Sequence, residues 1–363
     1  MSSKFLCLER LPNLDPLRFL LASLVLFFHI PQLSRNQGLP YFMDTPIFNR
    51  GTQAVYMFFV LSGFLIIRII YRNKQRDAFS IKKFYLRRIL RIFPLYYLII
   101  IFGFTFYWLL LPVLNIPFEN NYNLGEGILL TVFFLPNVFE KLYHPGGILE
   151  VLWSIGIEEQ FYLMIAPLLY VIGKHKILLV LSLLTIGYFI LYHLDGLDVL
   201  RQFSFVYFLL FFGGIMAILE EENKLNFLKF SPVIPIIIVL ATLLYFTTDL
   251  FQFKALWLYN LTTLLLFGLF IHTLTNNNFG KTLNNKLLSY LGQISYGIYM
   301  FHVIVMNFVV FFMLKIQEFK IFNDTVIILL IYILTFALTI ILAHFSYKYF
   351  ETYFLKLKTK FRQ

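Results

Sequence analysis

A few charged side chains interrupt otherwise apolar stretches of this chain, and their residue types could do chemistry. Arg18 and His29 lie in LDPLRFLLASLVLFFHI, and Glu158 and Glu159 lie in LWSIGIEEQFYLMIAPLLYVIG. Arg18 and His29 are 11 residues apart, which on an α-helix is about 20° beyond three full turns and about 16 Å along the axis. We therefore expect both side chains to face one cavity. The alternative is that they only anchor the two ends of a membrane helix.

The adjacent glutamates suggest a partner for the histidine. Neighbouring side chains on a helix point about 100° apart, so only one of the two can face a given partner. We expect Glu158 to face His29, with Glu159 turned to a second polar contact. Ser154 lies on the face of Glu158, and Trp153 suits a cavity wall or a membrane interface. A histidine beside a carboxylate can act as a general base, whereas the alternative is a structural ion pair between two helices.

A cluster of basic residues lies in SIKKFYLRRILRIFPLYY. On a helix, Lys83, Arg87 and Arg91 share one face at i,i+4 spacing. Arg88 stands beside Arg91 at i,i+3. Guanidinium groups bind phosphates through paired hydrogen bonds. With Arg18 at the same end, the cluster favours a phosphate-bearing donor such as coenzyme A, although any cytoplasmic loop between spans is basic.

The composition identifies the elements that must position these residues. Of 363 residues, 60% are hydrophobic and only 13% are charged, whereas a soluble domain is about a quarter charged. Apolar runs of roughly 20 residues, enough to cross about 30 Å of hydrocarbon, recur along the whole chain. We therefore predict an all-α, polytopic membrane protein that forms a single domain over residues 1–363.

Ten transmembrane helices are predicted from the apolar runs and their polar interruptions. They cover residues 14–32, 52–71, 93–111, 150–173, 177–193, 203–219, 232–248, 255–274, 287–312 and 325–347. The segment EGILLTVFFLPNVF at 126–139 is too short to span comfortably and contains Pro136. It is predicted to be a half-helix or a re-entrant segment.

The distribution of Lys and Arg predicts the orientation. With the N-terminus in the cytoplasm, 23 of the 30 basic residues fall on the cytoplasmic side, in keeping with the positive-inside rule. Both termini are then cytoplasmic, the first span is a retained signal-anchor, and His29 and Glu158 lie in the outer half. The net charge of +11 needs no nucleic acid, because basic loops face anionic lipid. The single cysteine, Cys7, excludes an intramolecular disulfide.

Five segments together resemble the acyltransferase-3 family of bacterial integral-membrane O-acyltransferases, over essentially the whole chain. They are the Arg-x10-His pair of Arg18 and His29, FFVLSGFLI, RRILRIFPLYY with its Arg-x-x-Arg at Arg88 and Arg91, WSIGIEEQFYL, and LGQISYGIYMFH. One such segment would be weak support, whereas five in the family's order are a specific match.

The resemblance implies transfer of an acyl group, most often acetyl, from acyl-coenzyme A to a sugar hydroxyl. The acceptor would be an envelope polysaccharide, a lipid-linked glycan or a related carbohydrate, and the protein a multi-pass component of the bacterial inner membrane. The family's essential Arg-x10-His pair carries over to Arg18 and His29, and its coenzyme A contact to Arg88 and Arg91. We thus predict His29, Glu158 and Arg18 as catalytic residues. A covalent acyl-histidine intermediate is the alternative to general-base catalysis.

The chain departs from the family pattern at two positions. Tyr56 stands in AVYM where an acidic residue often precedes the second-span signature, and Tyr353 stands where proline is usual in a Phe-Glu-x-Pro ending. Many members also carry an appended SGNH-type domain. We expect this chain to act without one, either by finishing the transfer within the membrane or by handing it to a separate protein.

The remaining polar residues are weaker candidates. Tyr296, Tyr299 and His302 lie together in the ninth span, where they either line the acceptor path or form helix contacts. The other histidines show no ligand spacing, so we predict no metal. They are His144, His175, His193, His272 and His344.

The alternative function is a transporter or flippase for a lipid-linked sugar, because carriers also combine polytopic topology with ionisable groups in the membrane. That class predicts internal symmetry and broken helices in matching halves, and neither is clear in the sequence. A purely structural scaffold would leave the placement of Arg18, His29 and Glu158 without a reason. An acyltransferase changes the mass of a glycan, whereas a carrier changes only its location. The sequence does not identify the acceptor sugar, the acyl group or the oligomeric state.

Overall fold

The computed structural model describes residues 11, 13–229, 233–275, 283, 285–318 and 322–358, and every regular element in these ranges is helical. The predicted all-α class is therefore confirmed. Cys7 lies outside the described residues, as do several basic residues that were used for the orientation. The latter are Lys4, Arg10, Lys281, Lys320, Lys360 and Arg362.

The α-helices are labelled in chain order. They are α1 (Leu14–Asn36), α2 (Gly51–Gln75), α3 (Ile81–Thr105), α4 (Leu111–Val113), α5 (Leu124–Val132), α6 (Pro136–Tyr143), α7 (Gly147–Glu150), α8 (Trp153–Val171), α9 (Ile177–His193), α10 (Asp198–Gln202), α11 (Tyr207–Glu221), α12 (Val233–Thr247), α13 (Leu256–Thr275), α14 (Lys286–Gln293), α15 (Ser295–Glu318), α16 (Asp324–Phe345) and α17 (Thr352–Lys358). Short 3₁₀ turns lie at Pro46–Asn49, Lys174–Lys176 and Asn226–Lys229, and π-helical turns follow α3 at Phe106–Leu110 and α16 at Ser346–Glu351.

All ten predicted spans fall on helices, and seven helical stretches of the described chain are long and apolar enough to cross a membrane. These are Leu14–Asn36, Gly51–Gln75, Ile81–Val113, Lys174–His193, Leu256–Thr275, Ser295–Glu318 and Asp324–Leu357. The protein is thus an all-α polytopic membrane protein. The shorter or more polar helices α8, α11 and α12 have 19, 15 and 15 residues, and they stay predicted spans.

Two predicted segments are divided in the structure. The ninth predicted span, 287–312, is two helices, α14 and α15, which are separated at Ile294. This corrects the expectation of one continuous helix. The segment 126–139 is split into α5 and α6, with Phe134 at a φ of 61° in the break. The new helix begins at Pro136, since proline lacks a backbone N–H and is favoured in the first helical turn.

Helices α2 and α15 lie at the centre of the bundle. In the most apolar stretch of each helix, 67% of the residues are buried inside the protein. The corresponding share is 22% for Lys174–His193 and 28% for Asp324–Leu357, and these helices present large apolar side chains suited to lipid. Helix α2 approaches α11 closely through glycines. A Cβ at Gly63 would lie 1.9 Å from the Leu210 carbonyl oxygen, and one at Gly213 would lie 2.0 Å from the Val60 carbonyl oxygen. Only glycine permits this approach, which holds the two helices together along their length.

Candidate active site

A cavity of about 560 Å³ lies between α1, α2, α3, α8, α15 and the π-helical turn Ser346–Glu351. This volume is within the range of about 300–1,000 Å³ that is usual for small-molecule sites. Its charged lining residues are Asp15, Arg18, Arg68, Arg72, Arg87, Arg88, Arg91, Glu158 and Glu351. Helices that are far apart in the sequence therefore bring six arginines of the described chain to one space.

Three of the four residues of the predicted basic cluster on α3 face this cavity, and the prediction is corrected for Lys83. Arg87, Arg88 and Arg91 line the cavity, whereas Lys83 is exposed and does not. The helix begins after Ser80, whose hydroxyl oxygen accepts a hydrogen bond from the backbone N–H of Lys83. Such a cap satisfies one of the free donors of the first turn. The helical spacing of the arginines then directs three of them toward the same space.

Arg88 and Arg91 form no ion pair with any carboxylate of the described chain. The Arg88 guanidinium carbon lies 5.7 Å from the ring centre of Tyr162 and 5.8 Å from that of Phe84. Its Nε is buried without a hydrogen bond. Cation–π contacts hold a guanidinium group in place but leave its N–H donors unused. Arg88 and Arg91 are therefore suited to bind an anion.

The two cavity arginines of α2 are instead paired with α11. Arg68 Nη1 lies 2.9 Å from Glu220 Oε1, and Arg68 Nε lies 2.6 Å from Glu221 Oε1. Arg72 Nε lies 2.7 Å from Glu221 Oε2. Glu220 also lies 2.8 Å from His272 Nδ1, on α13. These contacts neutralise both arginines within the protein and join α2 to α11.

The two glutamates of α8 have different surroundings. Glu158 lines the cavity, and its Oε2 accepts hydrogen bonds from the hydroxyls of Ser62 at 3.0 Å and Tyr162 at 2.6 Å. Glu159 is 4% exposed, and its Oε1 has no hydrogen-bond partner in the described ranges. Ser154 lines the cavity together with Glu158. The predicted face of Ser154 and Glu158, and its separation from Glu159, are confirmed, whereas the expectation of a second polar contact for Glu159 is corrected, because its Oε1 is buried without a partner in the described chain.

The structure pairs His29 with a second histidine. His29 Nδ1 lies 2.9 Å from the Val25 carbonyl oxygen and 3.3 Å from His302 Nε2. His302 is fully buried. Because Glu158 binds Ser62 and Tyr162 and His29 binds Val25 and His302, the expectation that Glu158 faces His29 is corrected.

Arg18 and His29 also differ in their access to the cavity. Arg18 lines it and forms an ion pair with Asp15 at 2.8 Å, whereas His29 is not among its lining residues. The expectation that both face one cavity is therefore corrected for His29. Helical spacing predicts which side chains share a face of α1, but it does not determine how far along that face a cavity formed with neighbouring helices extends.

Tyr299 lies between the cavity and the two histidines. It lines the cavity, its hydroxyl oxygen is 2.6 Å from Ser154 Oγ, and it donates a hydrogen bond to the Val151 carbonyl oxygen at 2.9 Å. Its own carbonyl oxygen lies 2.5 Å from His302 Nδ1. The histidine pair of His29 and His302 therefore adjoins the cavity wall that Ser154 and Tyr299 form.

Two weaker candidates are separated by the structure. Tyr296 lines the cavity and donates a hydrogen bond to the Ile92 carbonyl oxygen of α3 at 3.0 Å. Trp153 does not line the cavity, and its ring meets the ring of Phe59 edge-on at 5.8 Å. Trp153 therefore packs behind the wall, which corrects the cavity-wall alternative, while the membrane-interface alternative stays a prediction.

Sequence reasoning missed Glu351, Ser62 and Tyr162. Glu351 lines the cavity from the π-helical turn after α16 and accepts a hydrogen bond from the Ser346 hydroxyl at 3.0 Å. The family-like ending in FSYKYFETYF was the available signal for it, and FFVLSGFLI was the signal for Ser62. No three His, Cys, Asp or Glu side chains are grouped as metal ligands in the described chain.

Comparisons with known proteins agree on one family. A family model described as an acyltransferase domain matches residues 11–344. The chain is 26% identical to O-acetyltransferase OatA of Staphylococcus aureus NCTC 8325, over 94% of this chain and 57% of the relative. It is 25% identical to a candidate O-acetyltransferase of Staphylococcus aureus strain COL, over 98% of this chain and 59% of the relative. The chain thus spans less than three fifths of the length of these curated relatives. No solved structure gives a significant match.

Proposed function

Because this chain belongs to the acyltransferase-3 family, whose domain model matches residues 11–344, we propose that it is an O-acyltransferase. It moves an acyl group, acetyl in the first instance, from acyl-coenzyme A to a hydroxyl of an envelope polysaccharide, lipid-linked glycan or related carbohydrate. It acts as a multi-pass protein of the bacterial inner membrane, with Arg88 and Arg91 on the cytoplasmic side. The observation that carries the proposal is the cavity in which these two arginines have no carboxylate partner among the residues that the structure describes.

The arginine end of the cavity binds the phosphates of the donor. Guanidinium groups make paired, charge-assisted hydrogen bonds to phosphate oxygens, and Arg88 and Arg91 still have their donors available. The other basic residues of this donor site are Arg87 and Arg18. The pantetheine arm then extends along the cavity toward the wall at Tyr299.

His29 is the general base in this proposal. Its Nε2 takes the proton of the acceptor hydroxyl as the hydroxyl oxygen attacks the thioester carbonyl carbon. The carbon–sulfur bond then breaks, and the same proton passes to the departing thiolate. The products are an O-acyl ester and coenzyme A with a free thiol. Tyr299 donates its hydroxyl proton to the Val151 carbonyl oxygen, so at the adjoining wall the Ser154 hydroxyl is the one placed to donate a hydrogen bond to the carbonyl oxygen of the thioester.

Glu158 acts at the donor site rather than on His29. Its carboxylate accepts hydrogen bonds from Ser62 and Tyr162, and the Tyr162 ring lies beneath the Arg88 guanidinium. Glu158 thus fixes the ring that holds Arg88. In this proposal Glu158 is a positioning residue, while Arg18 supplies positive charge at the donor site.

The test is the O-acyl ester content of envelope glycans, measured by mass spectrometry in cells that lack the gene. The cells are complemented with the wild-type chain, His29→Ala, Arg91→Ala or Lys83→Ala, at equal membrane abundance. We expect the ester with the wild type and loss of it with His29→Ala and Arg91→Ala. Lys83→Ala is the matched control, because Lys83 is a cation of the same helix outside the cavity, and it should keep the ester.

Two results would contradict the proposal. Wild-type ester content in His29→Ala would exclude His29 as base and nucleophile alike. If the glycan masses are equal in all strains while the amount of glycan at the cell surface changes with the gene, the protein is a carrier and not an acyltransferase.

A further inference from the structure

The hydrogen bonds of the histidine pair determine which ring nitrogen carries each proton. A backbone carbonyl oxygen only accepts hydrogen bonds, so a ring nitrogen facing one must be protonated. His302 Nδ1 faces the Tyr299 carbonyl oxygen at 2.5 Å, and His29 Nδ1 faces the Val25 carbonyl oxygen at 2.9 Å. Both rings therefore carry their proton on Nδ1 in the neutral state.

The contact between the two rings then has one direction. His302 Nε2, which lacks a proton, lies 3.3 Å from the protonated Nδ1 of His29. The single N–H of His29 Nδ1 therefore makes a bifurcated hydrogen bond, with the Val25 carbonyl oxygen as one acceptor and His302 Nε2 as the other. A protonated Nε2 on His302 would set two N–H groups against each other, so the neutral form of this buried ring fits the contact. His302 thus accepts a hydrogen bond from His29, as a carboxylate does where it orients a catalytic histidine.

The remaining nitrogen of His29 is the one available for chemistry. His29 Nε2 has no hydrogen-bond partner within the described ranges. The His29 side chain is half-buried, unlike that of His302. With the proton of His29 held on Nδ1, the lone pair of Nε2 is free to accept a proton from a hydroxyl.

We propose that His302 is a positioning residue that fixes His29 in the tautomer with a basic Nε2. The inference rests on the proposed function, since it describes the base of that reaction. When His29 Nε2 takes the acceptor proton, the positive charge spreads to Nδ1–H, and its hydrogen bond to His302 Nε2 strengthens. His302 keeps its own proton on Nδ1 and transfers none. The proton on His29 Nε2 goes to the thiolate, so the step is balanced.

Tyr299 connects this pair to the cavity. Its carbonyl oxygen holds His302, and its hydroxyl contacts Ser154 and donates to the Val151 carbonyl oxygen. The orientation of His29 is thereby set from the same residue that forms the wall of the donor cavity. This arrangement fixes the distance between the base and the end of the cavity.

Two variants of His302 separate its two hydrogen bonds. In His302→Asn, the short amide still reaches the Tyr299 carbonyl oxygen but not His29. In His302→Gln, the longer side chain places an amide oxygen near the position of Nε2, where it can accept the His29 proton. Asn307→Ala is the control, because Asn307 lies on α15 and its amide donates a hydrogen bond to the carbonyl oxygen of Val303 in the same helix.

The assay measures release of the coenzyme A thiol from acetyl-coenzyme A by the full chain in membranes, with the envelope glycan fraction as acceptor. We expect kcat per folded molecule to fall about 10- to 100-fold in His302→Asn, the effect of one charge-assisted hydrogen bond. It should fall by only a few-fold in His302→Gln and stay unchanged in Asn307→Ala. KM for acetyl-coenzyme A should stay unchanged in all three, because His302 does not line the donor cavity.

Equal kcat values in His302→Asn and His302→Gln, or a loss of folded protein without a change in kcat, would overturn the inference. Nitrogen-15 NMR of the wild-type protein tests it without a variant. We expect the proton of His29 on Nδ1, and a neutral His29 with its proton on Nε2 would also overturn the inference. The proposed function fails separately, if His29→Ala keeps wild-type activity.

Discussion

Two sets of arginines line the same cavity, and their partners are different. Arg68 and Arg72 on α2 are paired with Glu220 and Glu221 on α11. Arg88 on α3 lies over aromatic rings, and neither it nor Arg91 forms an ion pair in the described chain. The charges of the first set are paired with carboxylates, whereas those of the second set have no carboxylate partner in the described chain.

The difference shows how one residue type serves two purposes in one place. A mostly buried arginine with carboxylates on a neighbouring helix stabilises the contact between the two helices. A cavity arginine without a carboxylate partner carries an unpaired charge. Because isolated buried charges are costly, a ligand is expected to supply the opposite charge. We therefore expect the two sets to respond differently to the same substitution.

The largest effect is expected for Arg68→Ala, which tests whether the ion-paired arginines stabilise the contact between α2 and α11. It removes one cation from Glu220 and Glu221, which keep His272 and Arg72 as partners. We therefore expect a loss near the lower end of the about 3–5 kcal/mol of unfolding free energy that breaking a buried pair costs. Thermal unfolding of the purified chain in detergent measures the loss. Arg68→Ala combined with Glu220→Gln should recover part of it, because the charge of the Glu220 carboxylate is then removed while Glu221 keeps its ion pair with Arg72. A stability equal to wild type in Arg68→Ala would show that α2 and α11 need no ion pair.

An intermediate effect, on binding rather than stability, is expected for Arg91→Ala. Removal of one charge-assisted contact to phosphate should weaken coenzyme A binding by about 1.5–3 kcal/mol, or roughly 10- to 100-fold. The unfolding temperature should stay near that of the wild type, because Arg91 has no carboxylate to lose. Titration calorimetry with coenzyme A gives the affinity. Unchanged affinity together with a drop in stability would show that Arg91, like Arg68, stabilises the fold and does not bind the donor.

The smallest effect is expected at Tyr162, where two variants test whether the aromatic ring holds Arg88 in place. Tyr162→Phe keeps the ring beneath Arg88 but removes the hydroxyl that donates to Glu158, and it should weaken coenzyme A binding by about 1 kcal/mol. Tyr162→Leu also removes the ring and should cost about 0.5–1 kcal/mol more. The same calorimetric titration compares the two variants. If Tyr162→Phe and Tyr162→Leu bind equally, the ring does not hold Arg88 in place.

Within single helices, much of the candidate site could be predicted from the sequence. The i,i+4 spacing of Arg87 and Arg91, with Arg88 beside Arg91, predicted a shared space that all three line, but the same spacing also included Lys83, which is exposed outside the cavity. The spacing of Ser154 and Glu158 correctly predicted their shared face of α8. Both successes concern a face of one helix, which the geometry of 3.6 residues per turn sets without reference to any neighbour.

The contacts between helices could not be predicted in this way. Glu158 meets Ser62 and Tyr162 rather than His29, and His29 meets His302, which is 273 positions away in the chain. The division of the ninth predicted span at Ile294 was also missed, since no proline or charge marks it. Such contacts depend on the rotation and depth of each helix against the next.

The sequence by itself determined the class of the protein, the approximate positions of its helices and the polar faces they carry. These follow from local terms, namely apolar length and helical periodicity. Only the tertiary structure decided which arginines are paired and which histidine accompanies His29. The physical reason is that these partners are selected by close packing between helices, as at Gly63 and Gly213, and packing joins residues that no local pattern relates.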